Sequence, residues 1–309
     1  MIYTLTLNPA IDKTCEIQNF LAGEVNRIET IRVDAGGKGI NVSKCLQRLG
    51  ESSIAITLLG GESGKQLEKL MKDEDLSTIV LPISGQTRTN MKIVDLVKHQ
   101  NTDINEKGPE ISSMECKQIQ DIIQNYVGEG AYLVLSGSIP RGVPSEIYRD
   151  IISYCNKKGV RVFLDADGEC LRYGIEAGPY LVKPNISELS RLVGKDLTDI
   201  NQIIDAAQML LEKGIEKVVV SMGADGALFI EKGRCVRALG LEVPVRSTVG
   251  AGDSMVAALV FGTKNQWPLE KQIRLAMAIS AASVSCSGTQ SPSKEMIDIL
   301  KEKVKLEEV

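Results

Sequence analysis

From about residue 110 the chain alternates short apolar runs with stretches of helical length, and that alternation restricts the possible folds more than any other feature. Residues Ala131–Ser136 (AYLVLS), Val160–Asp165 (VRVFLD), Tyr180–Lys183 (YLVK) and Lys217–Ser221 (KVVVS) read as strands. A strand that is apolar throughout is covered on both faces. Between these runs, residues 144–158, 186–193 and 199–213 read as helices. Repeated β-α-β units predict a mostly parallel sheet sandwiched between helix layers, an α/β fold.

The N-terminal part follows another rule. Residues 13–20, 25–33 and 90–97 alternate polar with apolar positions and have no helix among them. Such strands bury one face and wet the other. They predict a small β-sheet, a lid over approximately 11–34 and 86–105, inserted into a single α/β domain spanning 1–309. A closed (β/α)₈ barrel is the rival architecture, and the helix-free segments count against it. Ile2–Leu7 (IYTLTL) already reads as a strand, with none of the regions of a signal peptide before it. The longest apolar stretch, Met255–Phe261, falls far short of the roughly 20 residues that span a bilayer. A cytoplasmic protein without a membrane partner is expected. The charged last residues (KEKVKLEEV) read as a solvated helix end.

Composition restricts the chemistry. The 36 Lys and Arg against 40 Asp and Glu give a net charge of −4, so no basic field argues for nucleic acid. There is one histidine, His99, in 309 residues. A Ser-His-Asp triad, a Cys-His pair or a multi-histidine metal site would have to be built around it, and it stands in a polar turn. Any general base is therefore expected to be a carboxylate. The seven cysteines are never closer than fifteen positions, which leaves no C-x-x-C pair and suggests reduced core thiols.

Two glycine clusters imitate phosphate motifs and fail. Gly60–Gln66 (GGESGKQ) has three residues where a P-loop needs four, and Gln66 stands where a hydroxyl is required. Gly37–Gly39 (GKG) would open a dinucleotide fingerprint, but Val42 occupies the third glycine's place.

Four other segments survive. Ser247–Ser254 (STVGAGDS) runs into an apolar stretch of helical length, which places Gly250, Ala251 and Gly252 at a helix N-terminus. Unpaired backbone N–H groups and the helix dipole make an anion hole there, with Asp253 in the first turn beside it. An N-cap box with Asp253 merely complementing the dipole is the plain alternative. Asp34–Ser43 (DAGGKGINVS) would present Lys38 and Asn41 to a polyhydroxyl or phosphate ligand, or else form a turn before a helix over 40–49. Leu181–Glu188 (LVKPNISE) sets a lysine and a carboxylate near one strand end, suited to a nucleotide phosphate and its magnesium, or to capping. Ser221–Gly226 (SMGADG) is a further glycine turn after a strand, or a plain hairpin. The last two segments and residues 136–138 follow strands at their carboxyl ends, where ligands bind in open α/β sheets. Asp12, Arg27 and Arg88 lie in or beside the inserted sheet.

With these residues in view, the chain closely resembles the ribokinase-like, or PfkB, carbohydrate kinases over essentially its whole length. The early Gly36–Asn41 (GGKGIN) and late Val249–Asp253 (VGAGD) signatures carry the likeness. Residues 6–12 (TLNPAID), 87–90 (TRTN), 136–140 (SGSIP) and 183–185 (KPN) are similar to the hexose-phosphate branch, which contains 1-phosphofructokinase and tagatose-6-phosphate kinase. The resemblance implies an ATP- and Mg²⁺-dependent kinase acting on a ketohexose monophosphate, with fructose 1-phosphate to fructose 1,6-bisphosphate foremost. Tagatose-6-phosphate kinase is the alternative, followed by a non-catalytic sugar-phosphate-binding regulator.

Residue by residue, the resemblance makes Asp253 the base and has Gly250, Ala251 and Gly252 hold the transferring phosphoryl group. Asp12, Gly36, Gly37, Lys38, Asn41 and Ser136 would line the sugar. Arg88 and Arg27 would hold the phosphate already on it. Lys183, Asn185, Ser221, Gly223, Gly226 and Glu188 would form the nucleotide side, with Glu188 helping to place Mg²⁺. A homodimer through the lid is implied as well. Asp165-Ala-Asp167 departs from the branch pattern, and no chemistry is assigned there.

Overall fold

A computed structural model of the chain describes residues 1–245, 247–286 and 292–309. Strand β1 (Ile2–Thr6) is followed by β2 (Ala10–Ile17) and β3 (Thr30–Gly36), then α1 (Lys38–Arg48), β4 (Ser53–Leu59), α2 (Gly61–Asp73) and β5 (Ser77–Pro82). Two more strands, β6 (Arg88–Asp95) and β7 (Gln100–Asn105), precede α3 (Ser113–Tyr126). Alternation begins there, with β8 (Tyr132–Ser136), α4 (Ile147–Lys157), β9 (Arg161–Asp165), α5 (Gly168–Glu176) and β10 (Leu181–Val182). It continues through α6 (Ile186–Val193), α7 (Ile200–Leu211) and β11 (Lys217–Ser221). The chain ends with β12 (Ala227–Glu231), β13 (Arg234–Ala238), α8 (Ala251–Lys264), α9 (Leu269–Val284), α10 (Lys294–Lys303) and β14 (Leu306–Glu308).

Ten strands form one open sheet in the order β14-β13-β12-β11-β10-β9-β8-β1-β4-β5. The pairs from β5 to β11 are parallel, and β12, β13 and β14 continue antiparallel. An open sheet with two edges rules out the closed barrel. The unbroken apolar runs are explained by alternate side chains feeding two cores. Leu133, Leu135, Val162, Leu164, Val218 and Val220 pack beneath α3 to α7. Val134, Phe163 and Val219 pack on the other face with residues of α1, α8, α9 and α10.

The small sheet has the order β3-β2-β6-β7. Its first two strands form after β1 and its last two after β5, so it is attached where the parallel strands end. Odd-numbered Ile11 and Ala35 pack on Ile40, Leu59, Leu67 and Met71, which anchors the sheet to the main body. Even-numbered side chains point the other way, and Asp12, Arg88 and Asn90 line a cleft.

Several boundaries differ from the sequence reading. The second strand of the small sheet covers 30–36 rather than 25–33, because pairing of Ala10 with Gly36 through Glu16 with Thr30 leaves 18–29 as the connecting loop. Strand β7 (QNTDIN) was not expected. All six of its residues are exposed, so it carries no apolar alternation, and backbone pairing to β6 alone makes it a strand. Residues 301–303 do end helix α10, but the residues after them are not a solvated helix end. Val304 is buried, and residues 306–308 pair with β13, where Arg234 forms an ion pair with Glu308.

The P-loop imitation sits at the start of α2, where it is closed off. The Gly60 N–H donates to Thr87 Oγ1, and a Cβ on Gly60 would lie 1.9 Å from the Gly85 carbonyl oxygen. Among the described residues no helix is long and apolar enough to cross a membrane. No disulfide forms among the seven cysteines.

Candidate active site

A cleft of about 370 Å³ opens at the carboxyl ends of the parallel strands and is roofed by the small sheet. Each wall comes from a different element. Gly37 and Lys38 begin α1, and Asn41 lies one turn further on. Asp165 ends β9, and Lys183 follows the short β10. Asn185 and Glu188 form the first turn of α6 as a capping box, in which each side chain accepts from the other's backbone N–H at 2.8 Å. Gly250 caps α8 with φ +83°, a left-handed conformation that glycine adopts without strain. Gly250, Gly252 and Asp253 line the cleft at this helix start, as expected. Ala251 stands between them as the first helical residue.

Charge is concentrated at the cleft floor. The Asp165 carboxylate is buried and bridges two lysines, with Oδ1 3.2 Å from Lys183 Nζ and Oδ2 3.5 Å from Lys38 Nζ. Burial alone would raise its pKa, but the two ammonium groups outweigh that and hold it below the ordinary carboxylate range. Lys38 is correspondingly raised, chiefly by Asp165. Asp253 is 5% exposed and accepts a hydrogen bond from Asn41 Nδ2 at 2.8 Å. Burial pushes its pKa up to about 6, and Asp165 adds to the rise, while Lys38, Asn41 and Lys183 oppose it. A carboxylate tuned this way is a competent proton acceptor near neutral pH.

The roof is polar as well. Asp12 accepts from Asn90 Nδ2 at 3.0 Å, and burial raises its pKa despite that bond and the nearby Arg88. Gly36 underlies Asp12, and a Cβ there would lie 2.2 Å from Asp12 Oδ2. Arg88 donates twice to the Asn8 carbonyl, at 3.2 and 2.9 Å, and once to the Glu106 carbonyl at 3.0 Å. Three of its five N–H groups thus brace two loops, and two remain for a ligand. Burial lowers its pKa.

Not every expected residue comes into the cleft. Arg27 is exposed in the 18–29 loop and lies outside the lining, because that loop projects beyond the paired part of the small sheet. Ser136 is completely buried at the end of β8, with its hydroxyl unpartnered. Ser221 pairs with Asn185 through the backbone but does not itself line the cleft, and Gly223 is exposed on the turn beyond it. Gly226 is buried in the β11–β12 connection, where a Cβ would lie 2.0 Å from the Ala238 carbonyl oxygen. His99 stands in the exposed turn between β6 and β7.

Conversely, Asp165, Asn90, Thr248 and Val249 line the cleft although the sequence reading, which includes them in its motifs, gives none of them a role of its own. For Asp165 a signal existed, since a carboxylate closed an apolar strand. Its importance depends on two lysines at positions 38 and 183, and no local pattern shows that.

The donor set fits a hard divalent cation in one way. Both Asp165 oxygens face lysines, whereas Glu188 commits Oε2 to its cap and keeps Oε1 for the cleft it lines. One carboxylate together with nucleotide phosphates and water is a usual environment for Mg²⁺. Among the described residues no cluster of three His, Cys, Asp or Glu could hold a metal by itself.

The model of the pfkB family carbohydrate kinases matches residues 2–296. The 1-phosphofructokinase of Bacillus subtilis is 35% identical over 306 residues, covering 99% of both chains. That of Haemophilus influenzae is 36% identical over 306 residues, covering 99% of this chain and 97% of the relative. The crystal structure of phosphofructokinase-2 from Escherichia coli in complex with fructose-6-phosphate superimposes with a TM-score of 0.92 at 31% identity, covering 98% of both chains.

Two tests follow from the site geometry. A group raised from 3.8 to about 6 by folding contributes stability fully below pH 4 and loses it as pH rises through 6, a difference of about 3 kcal/mol. Asp253→Asn should therefore melt no lower than the unsubstituted protein at pH 7.5. It should also lose roughly 10²-fold or more in turnover and the acid limb near pH 6 in kcat/KM. Full activity in this variant would remove Asp253 from the chemistry. Gly226→Ala should lower the melting temperature while leaving the KM for nucleotide within about twofold, since strain at φ +99° is local to the hairpin. A raised nucleotide KM in a variant of unchanged stability would return Gly226 to the site.

Proposed function

This chain belongs to the pfkB family of carbohydrate kinases, and from that premise we propose that it transfers the γ-phosphoryl group of ATP to fructose 1-phosphate, giving fructose 1,6-bisphosphate. The observation that carries the reading is the buried Asp253 beside an open, glycine-lined helix start. The names of the Bacillus and Haemophilus relatives favour fructose 1-phosphate as acceptor. The Escherichia coli complex makes a 6-phosphorylated ketohexose the second reading, fructose 6-phosphate or tagatose 6-phosphate.

In the proposed reaction Asp253 accepts the proton of the attacking sugar hydroxyl, and Asn41 keeps the carboxylate aimed at it. Backbone N–H groups at Gly250–Gly252 stabilise charge on the transferring group, as phosphoryl transfer mainly requires. Lys38 and Lys183, held together by Asp165, add positive charge where the nucleotide phosphates would lie. Asp12 and Asn90 take the sugar hydroxyls, and the two uncommitted N–H groups of Arg88 take the phosphate already present. Glu188 would hold Mg²⁺ through water, and the ion would neutralise charge on the nucleotide phosphates.

A homodimer belongs to the same reading. Leu21, Val25, Ile28, Ile31, Met91 and Ile104 of the small sheet and its loop are all exposed, and Val25 is 83% accessible. Apolar residues gathered on one element in this way suit a second copy of the chain. Arg27 belongs to the same loop.

The decisive measurement compares turnover on fructose 1-phosphate, fructose 6-phosphate and tagatose 6-phosphate with ATP. Preference for fructose 1-phosphate supports the proposal, preference for a 6-phosphate supports the second reading, and no turnover on any of them sinks both. Arg88→Ala should raise KM for the sugar phosphate by about tenfold or more with little effect on KM for ATP. Equal losses on phosphorylated and unphosphorylated fructose would contradict the phosphate role. Sedimentation should show a dimer that Val25→Glu shifts toward monomer, and a monomeric unsubstituted protein would refute the dimer.

A further inference from the structure

We propose that Lys92 is a positioning residue that ties the small sheet, through Ser247, to the loop presenting the Gly250–Gly252 amides. The inference rests on the phosphoryl-transfer reading of that loop.

Lys92 lies on the inward face of β6, one step beyond the row that contains Asp12 and Asn90, and pairs with Thr14 on β2 and Asp103 on β7. Its side chain is only 13% exposed. An ammonium group so enclosed is costly unless it is well hydrogen-bonded. Nζ donates to Ser247 Oγ at 3.2 Å, whereas the half-exposed Asp103 carboxylate is 3.8 Å away. The closer partner is thus a hydroxyl on the loop and not the opposite charge.

Ser247 is placed to pass this contact on. It is 2% exposed, and its backbone N–H is anchored on the Val284 carbonyl at 3.1 Å, behind the loop. Its Oγ also accepts from the Val249 N–H at 3.3 Å. One oxygen therefore joins the ammonium group of the sheet to the amide immediately before Gly250. Among the described residues, no other side-chain hydrogen bond links the small sheet to residues 247–252.

The surrounding space supports the same view. A second cavity of about 180 Å³ is lined by Lys92, Thr14, Asp34 and Asp103, and it shares Asp12, Asn90 and Val249 with the main cleft. The two cavities thus share residues of both sheet and loop, and the Lys92–Ser247 bond joins sheet and loop beside them. Losing that bond frees the Val249–Gly250 backbone to depart from the conformation that aims the amides. Positioning of this kind acts on the chemical step more than on ground-state binding.

The test combines amide hydrogen exchange of the ligand-free protein with steady-state kinetics on the preferred sugar phosphate. Lys92→Met should speed exchange in a peptide spanning residues 247–256 while leaving β2 unchanged. It should lower kcat about tenfold or more with sugar-phosphate KM within about threefold. Ser247→Ala should behave similarly, the double variant should be no worse than the poorer single one, and Lys92→Arg should restore most of the rate. Unchanged exchange in 247–256 overturns the proposal whether or not turnover changes. So do strictly multiplicative losses in the double variant, or a rise in KM with kcat intact, which would make Lys92 a substrate ligand. If the unsubstituted protein turned over no sugar phosphate, the functional reading would fail while the exchange data still decided the link between sheet and loop.

Discussion

The Asp165 carboxylate and its two lysines form the interaction on which the site depends. Asp165 ends β9, Lys183 follows β10, and Lys38 and Asp253 stand at the starts of α1 and α8, which pack on the same face of the sheet. Two buried or half-buried lysines without a shared counter-ion would repel one another and would be costly to desolvate. With Asp165 between them they stay close, and each holds a defined place at the cleft floor. The cluster also sets the balance on Asp253. Burial and Asp165 raise its pKa while the lysines restrain the rise, leaving it titrating near 6. A more apolar floor would keep Asp253 protonated, and a more cationic one would make it a poor base.

The small sheet solves a different problem. Its strands pair only with one another, so its stability comes from Ile11 and Ala35 packing on α1 and α2. With one face fixed to the body, strand alternation delivers Asp12, Arg88, Asn90 and Lys92 to the other face, above the cleft. Arg88 then couples this arrangement to the Asn8 and Glu106 loops by three hydrogen bonds, so a cation lining the cleft also braces the two connections that carry the sheet. By register Ile31, Met91 and Ile104 lie on the same face as Ile11, beyond the part that packs on α1 and α2, and they are exposed.

Much of this was legible from the residues. The core strands could be read because a buried parallel strand must be apolar on both faces, and the strands β8 to β11 match those runs within a few residues, whereas helix α5 between β9 and β10 had no counterpart in the reading. The glycine-lined start of α8 was legible because Gly250, Gly252 and Asp253 precede an apolar helix. Less was visible where backbone pairing, not side-chain pattern, makes the structure. Strand β7 is polar except for the exposed Ile104, and β14 forms where the buried Val304 turns the chain onto β13. The 221–226 segment was similarly opaque, since a glycine turn looks the same locally whether it faces a ligand or, like Gly226, a carbonyl of the neighbouring strand β13.

What the sequence determined by itself was therefore everything encoded within a few neighbouring residues. The periodicity of strands and helices, the glycine motifs, the lack of histidine chemistry and the family likeness all belong there. Only the tertiary structure decided which charged groups meet. Asp165 acquires its role from lysines 127 positions before it and 18 after it, and Lys92 reaches a serine 155 positions away. It likewise separated Arg88, which lines the cleft, from Arg27, which lies in an exposed loop outside that lining. Electrostatic function depends on distance and burial in space, and neither is a property of a residue's neighbours along the chain.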